Sequence, residues 1–584
     1  MADTSPELVL HNGKIVTVDD DFSIVQALAI AGGRIVATGT DADVLAGAAP
    51  GTERIDLGGR TVVPGLIDGH PHMDSWRGRF PRLAGSKNMA DIQARVARAV
   101  ADVREKGRPG AWVVLQLLAD PETRAPACFE EGRYPNRHDL DPVSPDNPVW
   151  IRGTYRTPSI VNSRALELAG ITAETPQPER LAPILDWRSG DTVLSPGGEI
   201  EKDPATGEPT GVLRDNDTLI ARPATARLWE LVPRPTLEAC IANLEDKIAE
   251  FNRLGLTAIY EGHGLEDPVE EGTLALLKVW SEGGLTVRVQ MVPNLSTSGT
   301  FEDVSARLGG YAYAAHDGAG DDRLRFAGVN VTLDGPGGGL DAVQPKQPSW
   351  PGPHDEIRDG ICRVPLDKFR HVAREAARRG VRLATKADGE AMIDWVIDVY
   401  GEADAEFGIR DRRWVMMHSK FTTPAQMARL RELGVVPTTC ATFVWHHGEN
   451  LARAYGDAVA RRAVPLRGFL DAGLPVSNGS DEYPWNPFFS LWLMVTRTDG
   501  ETGAQLGSGE CISREEALRI YTNNGAWLLR MEDRLGSLEA GKYADLLVLS
   551  DDYLTVEAGR IKEISPVMTV VGGRIVHADP DAGL

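Results

Sequence analysis

Between residues 60 and 481, short apolar runs alternate with amphipathic or alanine-rich stretches, and this rhythm restricts the fold more than any other feature of the chain. The strand-like runs are Leu256–Gly262, Leu285–Asn294, Leu324–Asp334, Val381–Ala387, Arg413–Ser419, Val435–Cys440 and Leu474–Asp481. Helical patterns at Leu237–Leu254, Leu366–Arg379 and Pro424–Leu433 lie between several of them. With the strand ending at His70, eight strands are expected. Strand–helix alternation on this scale fits an α/β fold of the (β/α)8 TIM barrel type, whose chemistry sits at the carboxyl ends of the strands. His70, His72, Lys386, His418 and Asp481 all fall at such ends.

His70 and His72 are spaced i, i+2. In extended chain, residues two apart point the same way, so both imidazoles leave one face. Two neutral imidazoles converging on a point form part of the first shell of a divalent metal. Asp481 closes Ser477-Asn478-Gly479-Ser480, where a strand delivers a carboxylate into a polar turn. Such a carboxylate can ligate a metal and take a proton from water. His418, after Trp414-Val415-Met416-Met417, reads either as a core histidine or as a further donor to the same centre. His263 and the pair His446-His447 are further candidates, which read first as loop residues, with contact to substrate or metal as the alternative.

The two ends of the chain share a pattern. Asn12-Gly13-Lys14-Ile15-Val16, Gly32-Gly33-Arg34-Ile35-Val36, Gly58-Gly59-Arg60-Thr61-Val62 and Gly572-Gly573-Arg574-Ile575-Val576 are each a tight turn running into a β-branched strand. The termini are therefore expected to meet in one small β domain, residues 1–60 with 536–584, around a barrel domain of 61–535. Residues from about 80 to 235 break the barrel rhythm and read as long loops rich in proline, charge and tryptophan. They read as a cap-like insertion after the first barrel strand, placed over the mouth. A formal charge of −22 with no basic run argues against nucleic acid and anionic membranes as partners. Cys128, Cys240, Cys362, Cys440 and Cys511 are scattered, which suits reduced thiols in a cytoplasmic protein. No signal-peptide pattern and no membrane-spanning apolar stretch is evident.

Several motifs in order along the chain resemble the amidohydrolase superfamily, in the branch similar to N-substituted formamide deformylases. They are Pro64–His72, Val161-Asn162-Ser163-Arg164-Ala165-Leu166, Gly211-Val212-Leu213-Arg214, His418, Gly479-Ser480-Asp481, Tyr521-Thr522-Asn523-Asn524-Gly525-Ala526 and Gly536–Leu549. The resemblance implies a metal-dependent hydrolase with a composite β-sandwich built from both termini. It also implies that the paired histidines and the strand-eight aspartate bind metal, and that the aspartate shuttles protons. Two positions depart from the pattern. Asn330 stands where many relatives carry a lysine that is carboxylated to bridge two metals. Lys386, in Lys386-Ala387-Asp388-Gly389-Glu390-Ala391-Met392, stands where they carry a histidine. Asparagine cannot form the carbamate and an ammonium is no ligand, so a conventional two-metal centre is not expected.

Three outcomes follow. One metal, zinc first with manganese or iron as alternatives, sits on His70, His72 and Asp481 with His418 or water completing the shell. Alternatively Lys386 is desolvated and acts as a base or nucleophile, or metal binding is lost. The leading expectation is hydrolysis of a C–N bond, other than a peptide bond, in a small organic amide, formamide, lactam or related cyclic compound. In it Asp481 is the proton shuttle, and His418 and Lys386 support charge. The alternatives are a decarboxylase, lyase, isomerase or hydratase using Lys386 and Glu390, and a catalytically eroded ligand-binding relative. Trp76, Phe443, Trp445, Tyr483, Trp485, Phe488 and Phe489 near the expected mouth suit an apolar ligand, or simply pack; Asn478 and Arg497 read as structural. The expected partner is a small-molecule substrate, and a homodimer, common among similar proteins, stays open.

Overall fold

The computed structural model describes residues 5–73, 83, 85–116, 129–153, 157–179, 183–185, 192–194, 197–215, 222–265, 269–334, 350–351, 357–358, 364–481 and 484–584. Trp76, Cys128, Cys362 and Tyr483 lie outside them.

Eight parallel strands carry the expected site. They are β1 (Leu66–Asp68), β2 (Leu256–Glu261), β3 (Arg288–Met291), β4 (Val329–Thr332), β5 (Leu383–Ala387), β6 (Val415–His418), β7 (Val436–Thr439) and β8 (Ser477–Asn478). β1, β2 and β3 pair in one sheet, and β4 to β8 pair in sequence in a second. Backbone bonds span both seams. Asn330 N–H donates to Pro293 O and Leu295 N–H to Asn330 O, each at 2.8 Å. At the other seam Gly69 N–H donates to Asn478 O and Asp481 N–H to His70 O, again at 2.8 Å. Strands of this layer are buried on both faces, which is why they read as continuous apolar runs rather than alternating ones.

Two strand expectations change. β1 ends at Asp68, so His70 stands two residues past it, on the turn that Gly69 opens. The run Leu324–Asp334 is two strands, Leu324–Phe326 beside β3 and then β4 beside β5. Gly328 separates them with φ +100°, and a Cβ there would lie 2.5 Å from Arg382 O. Only glycine tolerates that backbone.

The helices start and stop where their ends are chemically capped. Thr236 accepts a hydrogen bond from Ala239 N–H to open Leu237–Leu254, and Gly255, at φ +85°, closes it before β2. Gly380 closes Leu366–Arg379 in the same left-handed conformation ahead of β5. A left-handed glycine after the last turn satisfies the final carbonyls and redirects the chain.

Both ends of the chain contribute strands to one sheet. Leu546–Leu549 pairs antiparallel with Thr61–Pro64, in a six-stranded sheet that also holds Lys14–Val16, Ile24–Val25, Pro566–Val571 and Arg574–Ala578. A four-stranded sheet of Leu8–His11, Ala27–Ala31, Arg34–Gly39 and Glu53–Asp56 packs on it through Leu8, Leu28, Ile30, Val62, Leu546 and Val570. Two of the repeated turns touch, because a Cβ on Gly33 would lie 2.9 Å from Gly572 O.

The insertion is not a set of long loops. It holds a five-stranded sheet, ordered Gly198–Lys202, Pro209–Asp215, Ser159–Val161, Val149–Arg152, Val113–Gln116, with its own apolar core. Strands of three to seven residues interleaved with proline leave little periodicity to read. Asn162 accepts from Val149 N–H at 2.9 Å and Ala165 N–H at 3.0 Å, which makes its motif a structural one. Cys240, Cys440 and Cys511 carry free thiols. Among the described residues no helix is long and apolar enough to cross a membrane.

Candidate metal centre

The seam between β1 and β8 brings the first histidines to the last aspartate. It requires two glycines. A Cβ on Gly479 would lie 2.2 Å from His70 Cβ, and one on Gly69 would lie 2.5 Å from Ser477 Oγ. Buried Asp68 then ties the two segments by accepting from His70 N–H at 2.9 Å and Ser480 N–H at 3.1 Å. Burial pushes the Asp68 carboxyl up to about 6, against the pull of those backbone donors.

On this frame the donors converge. His72 Nε2 lies 2.9 Å from Asp481 Oδ1, and His70 Nε2 lies 3.9 Å from the same oxygen. His418 Nε2 lies 3.2 Å from His70 Nε2 and 3.9 Å from Asp481 Oδ2. The backbone is left-handed at both His418 (φ 69°) and Asp481 (φ 52°), an uncommon conformation for such residues that functional sites retain. Burial, then the charge of His418, holds His70 well below the ordinary imidazole range, so its ring is neutral. His418 is lowered too, first by burial. Burial works to raise Asp481, but the His72 hydrogen bond and the three imidazoles outweigh it and keep the carboxylate ionised.

These residues fit a divalent ion. Nitrogen ligands at tetrahedral positions around zinc stand about 3.3 Å apart, and the His70–His418 separation is 3.2 Å. Each neutral imidazole offers one lone pair and one N–H, so at that distance the two nitrogens share either a proton or a cation. His70, His418 and Asp481 place one donor atom each within 4.8 Å of one another, and so do His70, His72 and His263. His70 Nδ1 is buried without a hydrogen-bond partner.

Behind His418 lies a layer of buried charge. Asp388 Oδ2 is 3.3 Å from His418 Nδ1 and 3.1 Å from Lys386 Nζ, while its Oδ1 is 3.6 Å from Lys420 Nζ. Burial opposes ionisation of Asp388, but Lys420, Lys386 and His418 overcome it and hold it well below the carboxylate range. Asp334 receives Asp388 N–H at 2.7 Å and Gly389 N–H at 2.9 Å, fixing the turn. Lys386 Nζ also donates to Asp334 O at 2.9 Å. Lys386 thus stands at the end of β5 as expected, engaged by a carboxylate and a carbonyl. Glu390 pairs with Arg462 at 2.5 Å. Asn330 donates its amide to Asn294 Oδ1 across the β3–β4 seam.

Other expected residues divide clearly. His446 and His447 are not in a loop but in the helix Thr442–Tyr455, whose Phe443 ring centroid lies 5.0 Å from that of His418. Trp445 packs edge-on against Phe489 and Trp492, and Phe488 lies against Tyr553. Trp485 carries Lys247 Nζ 3.0 Å above its ring. Arg497 donates to the carbonyls of Leu506 and Ala463 at 2.7 Å, and Asn478 accepts from Ala441 N–H at 2.9 Å, both structural roles. Sequence reading gave no role to Asp388, although it lies in the motif around Lys386, and it missed Lys420, for which no motif spoke. It also undervalued His263, whose ring lies 4.6 Å from His70 and 5.1 Å from His72. The available signal was position, because His263 follows a predicted strand just as His70 does.

The chain is 28% identical over 596 residues to the N-substituted formamide deformylase of Arthrobacter pascens, covering 97% of each. It is 24% identical to Protein LONG AFTER FAR-RED 3 of Arabidopsis thaliana, over 98% of this chain and 91% of that one. An uncharacterized metal-dependent hydrolase from Pyrococcus furiosus superposes with a TM-score of 0.68 at 23% identity, over 94% of this chain and 100% of its own, which supports the TIM-barrel fold. The sequence profile of the amidohydrolase family matches residues 53–577, and the chain belongs to that family.

Proposed function

We propose that this chain is a metal-dependent hydrolase of a non-peptide C–N bond in a small organic amide, formamide, lactam or related cyclic compound. The observation that carries the reading is the convergence of His70 and His418, 3.2 Å apart, on the Asp481 carboxylate. His70, His72, His418 and Asp481 would hold one divalent ion, with zinc the first choice for this nitrogen-rich set. Such an ion acidifies water and polarises a carbonyl oxygen.

The protein's own groups supply the rest. Asp481, ionised and aligned by His72, accepts the proton of the attacking water and returns it to the departing nitrogen. His418 supports the ion through Nε2 or, where water takes its place in the shell, the charge that develops on the carbonyl oxygen. Asp388 holds His418 by Nδ1, fixing which nitrogen faces the cavity. Lys386 adds positive charge behind that layer by pairing with Asp388. The similarity to a formamide deformylase over 97% of the chain favours N-substituted formamides as the first substrates to assay.

Elemental analysis of purified protein, followed by turnover of N-substituted formamides and lactams, tests this directly. Bound metal with activity that collapses in both His70→Ala and Asp481→Asn is expected. Full activity in both variants discards the mechanism.

A further inference from the structure

β2 runs beside β1 with Ile259 opposite Asp68. Four residues beyond that pair stand His263 on one segment and His72 on the other. Their rings stack with centroids 5.1 Å apart and 22° between planes. His263 is buried, and its ring also lies 4.6 Å from that of His70 and 6.2 Å from that of His418. Both turns are held by one carboxylate. Buried Glu261 accepts from Met73 N–H at 2.6 Å through Oε2 and from His263 N–H at 3.3 Å through Oε1. The carboxylate at the end of β2 therefore fixes the residue after His72 and His263 itself.

Donor atoms of His70, His72 and His263 come within 4.8 Å of one another, as do those of His70, His418 and Asp481. The two sets share His70. A neutral imidazole offers a single lone pair, so His70 can serve one ion and not two. We propose that His263 is a ligand of that one ion, so that the centre takes a nitrogen from the second strand where Asn330 and Lys386 supply none. Glu261 is then a positioning residue, acting through the two turns it binds. This inference rests on the metal-dependent reading above and adds a ligand to it.

The test is titration of chelator-stripped full-length protein with Co(II), followed by its visible absorption, for wild type, His263→Ala, His263→Asn, Glu261→Gln and His418→Ala. Far-ultraviolet circular dichroism of each stripped variant checks that it is folded, and the asparagine variant stands in should the alanine variant fail. One Co(II) per wild-type chain is expected. Loss of the His263 ring weakens it by about tenfold or more and changes the band shape, and Glu261→Gln weakens it by about tenfold with less change of shape. Unchanged affinity and spectrum in both His263 variants, with His418→Ala impaired, overturns the inference and leaves the metal-dependent reading standing. Two ions per wild-type chain, one of them lost with His263, overturns the shared-ion assignment. Absence of binding by the wild type overturns the metal-dependent reading itself.

Discussion

His70 Nε2 and His418 Nε2 face one another across 3.2 Å, although 348 residues separate them in the chain. Two lone pairs so placed repel unless a proton or a cation lies between the rings. A cation that binds only the folded chain stabilises it by mass action, by about 4 kcal/mol at a concentration a thousandfold above its dissociation constant. Chelation of wild-type protein should therefore lower its melting temperature, and His70→Ala and His418→Ala should show little response to chelator. Calorimetric scans with and without chelator check this; an equal response in all three proteins contradicts it.

The β1–β8 seam gives a second prediction. Because a Cβ on Gly479 would lie 2.2 Å from His70 Cβ, Gly479→Ala must push the histidine away from Asp481. Overpacking of this kind costs about 1–3 kcal/mol. The larger effect should fall on the metal, with occupancy at purification reduced well below that of a surface control such as Gly51→Ala, where nothing lies within 4 Å. Elemental analysis of the two proteins decides it.

Much of this was legible beforehand, for definite physical reasons. Strands buried on both faces leave apolar runs, and a polar residue at the end of such a run is a candidate site residue, which is how His70, His418 and Asp481 stood out. The Gly-Gly turns at each end announced themselves because positive φ at two successive residues selects glycine. The role of Asp388, which lies in the motif around Lys386, was not legible, and Lys420 stood in no motif at all. Their importance comes from a charge layer assembled across β5 and β6, and nothing in local spacing encodes which buried lysine meets which carboxylate. The insertion's sheet was hidden because Ser159–Val161 and Val149–Arg152 are too short to show a period.

Arg288 and Asp545 join the barrel to the terminal sheet. The guanidinium of Arg288 donates to Asp545 through Nε at 2.8 Å and Nη2 at 3.0 Å, and both side chains are almost wholly buried. Removing one member of a buried pair leaves an uncompensated charge and destabilises by about 3–5 kcal/mol. Arg288→Met should therefore fall in that range. Arg288→Met combined with Asp545→Asn should recover part of the loss, as urea unfolding of the single and double variants would show. A single variant as stable as wild type contradicts the coupling.

The last prediction concerns acid. Asp215 ends a strand of the insertion sheet, where its carboxylate accepts from Ala224 N–H and Thr225 Oγ1 at 2.6 Å. Burial outweighs these donors and pushes its carboxyl up from 3.8 to about 6. The folded chain then binds a proton more tightly than the unfolded chain between those two values, so this group penalises folding at neutral pH and the penalty fades as pH falls through 6. Asp215→Asn cannot ionise and lacks that dependence. The stability of wild type relative to Asp215→Asn should therefore improve on going from about pH 7 to about pH 4, by about 3 kcal/mol at most. Comparing the two proteins cancels the groups they share, so urea midpoints at several pH values isolate Asp215. A difference that stays constant, or that moves against wild type on acidification, would mean that the carboxylate is better compensated in the folded chain than its two donors account for.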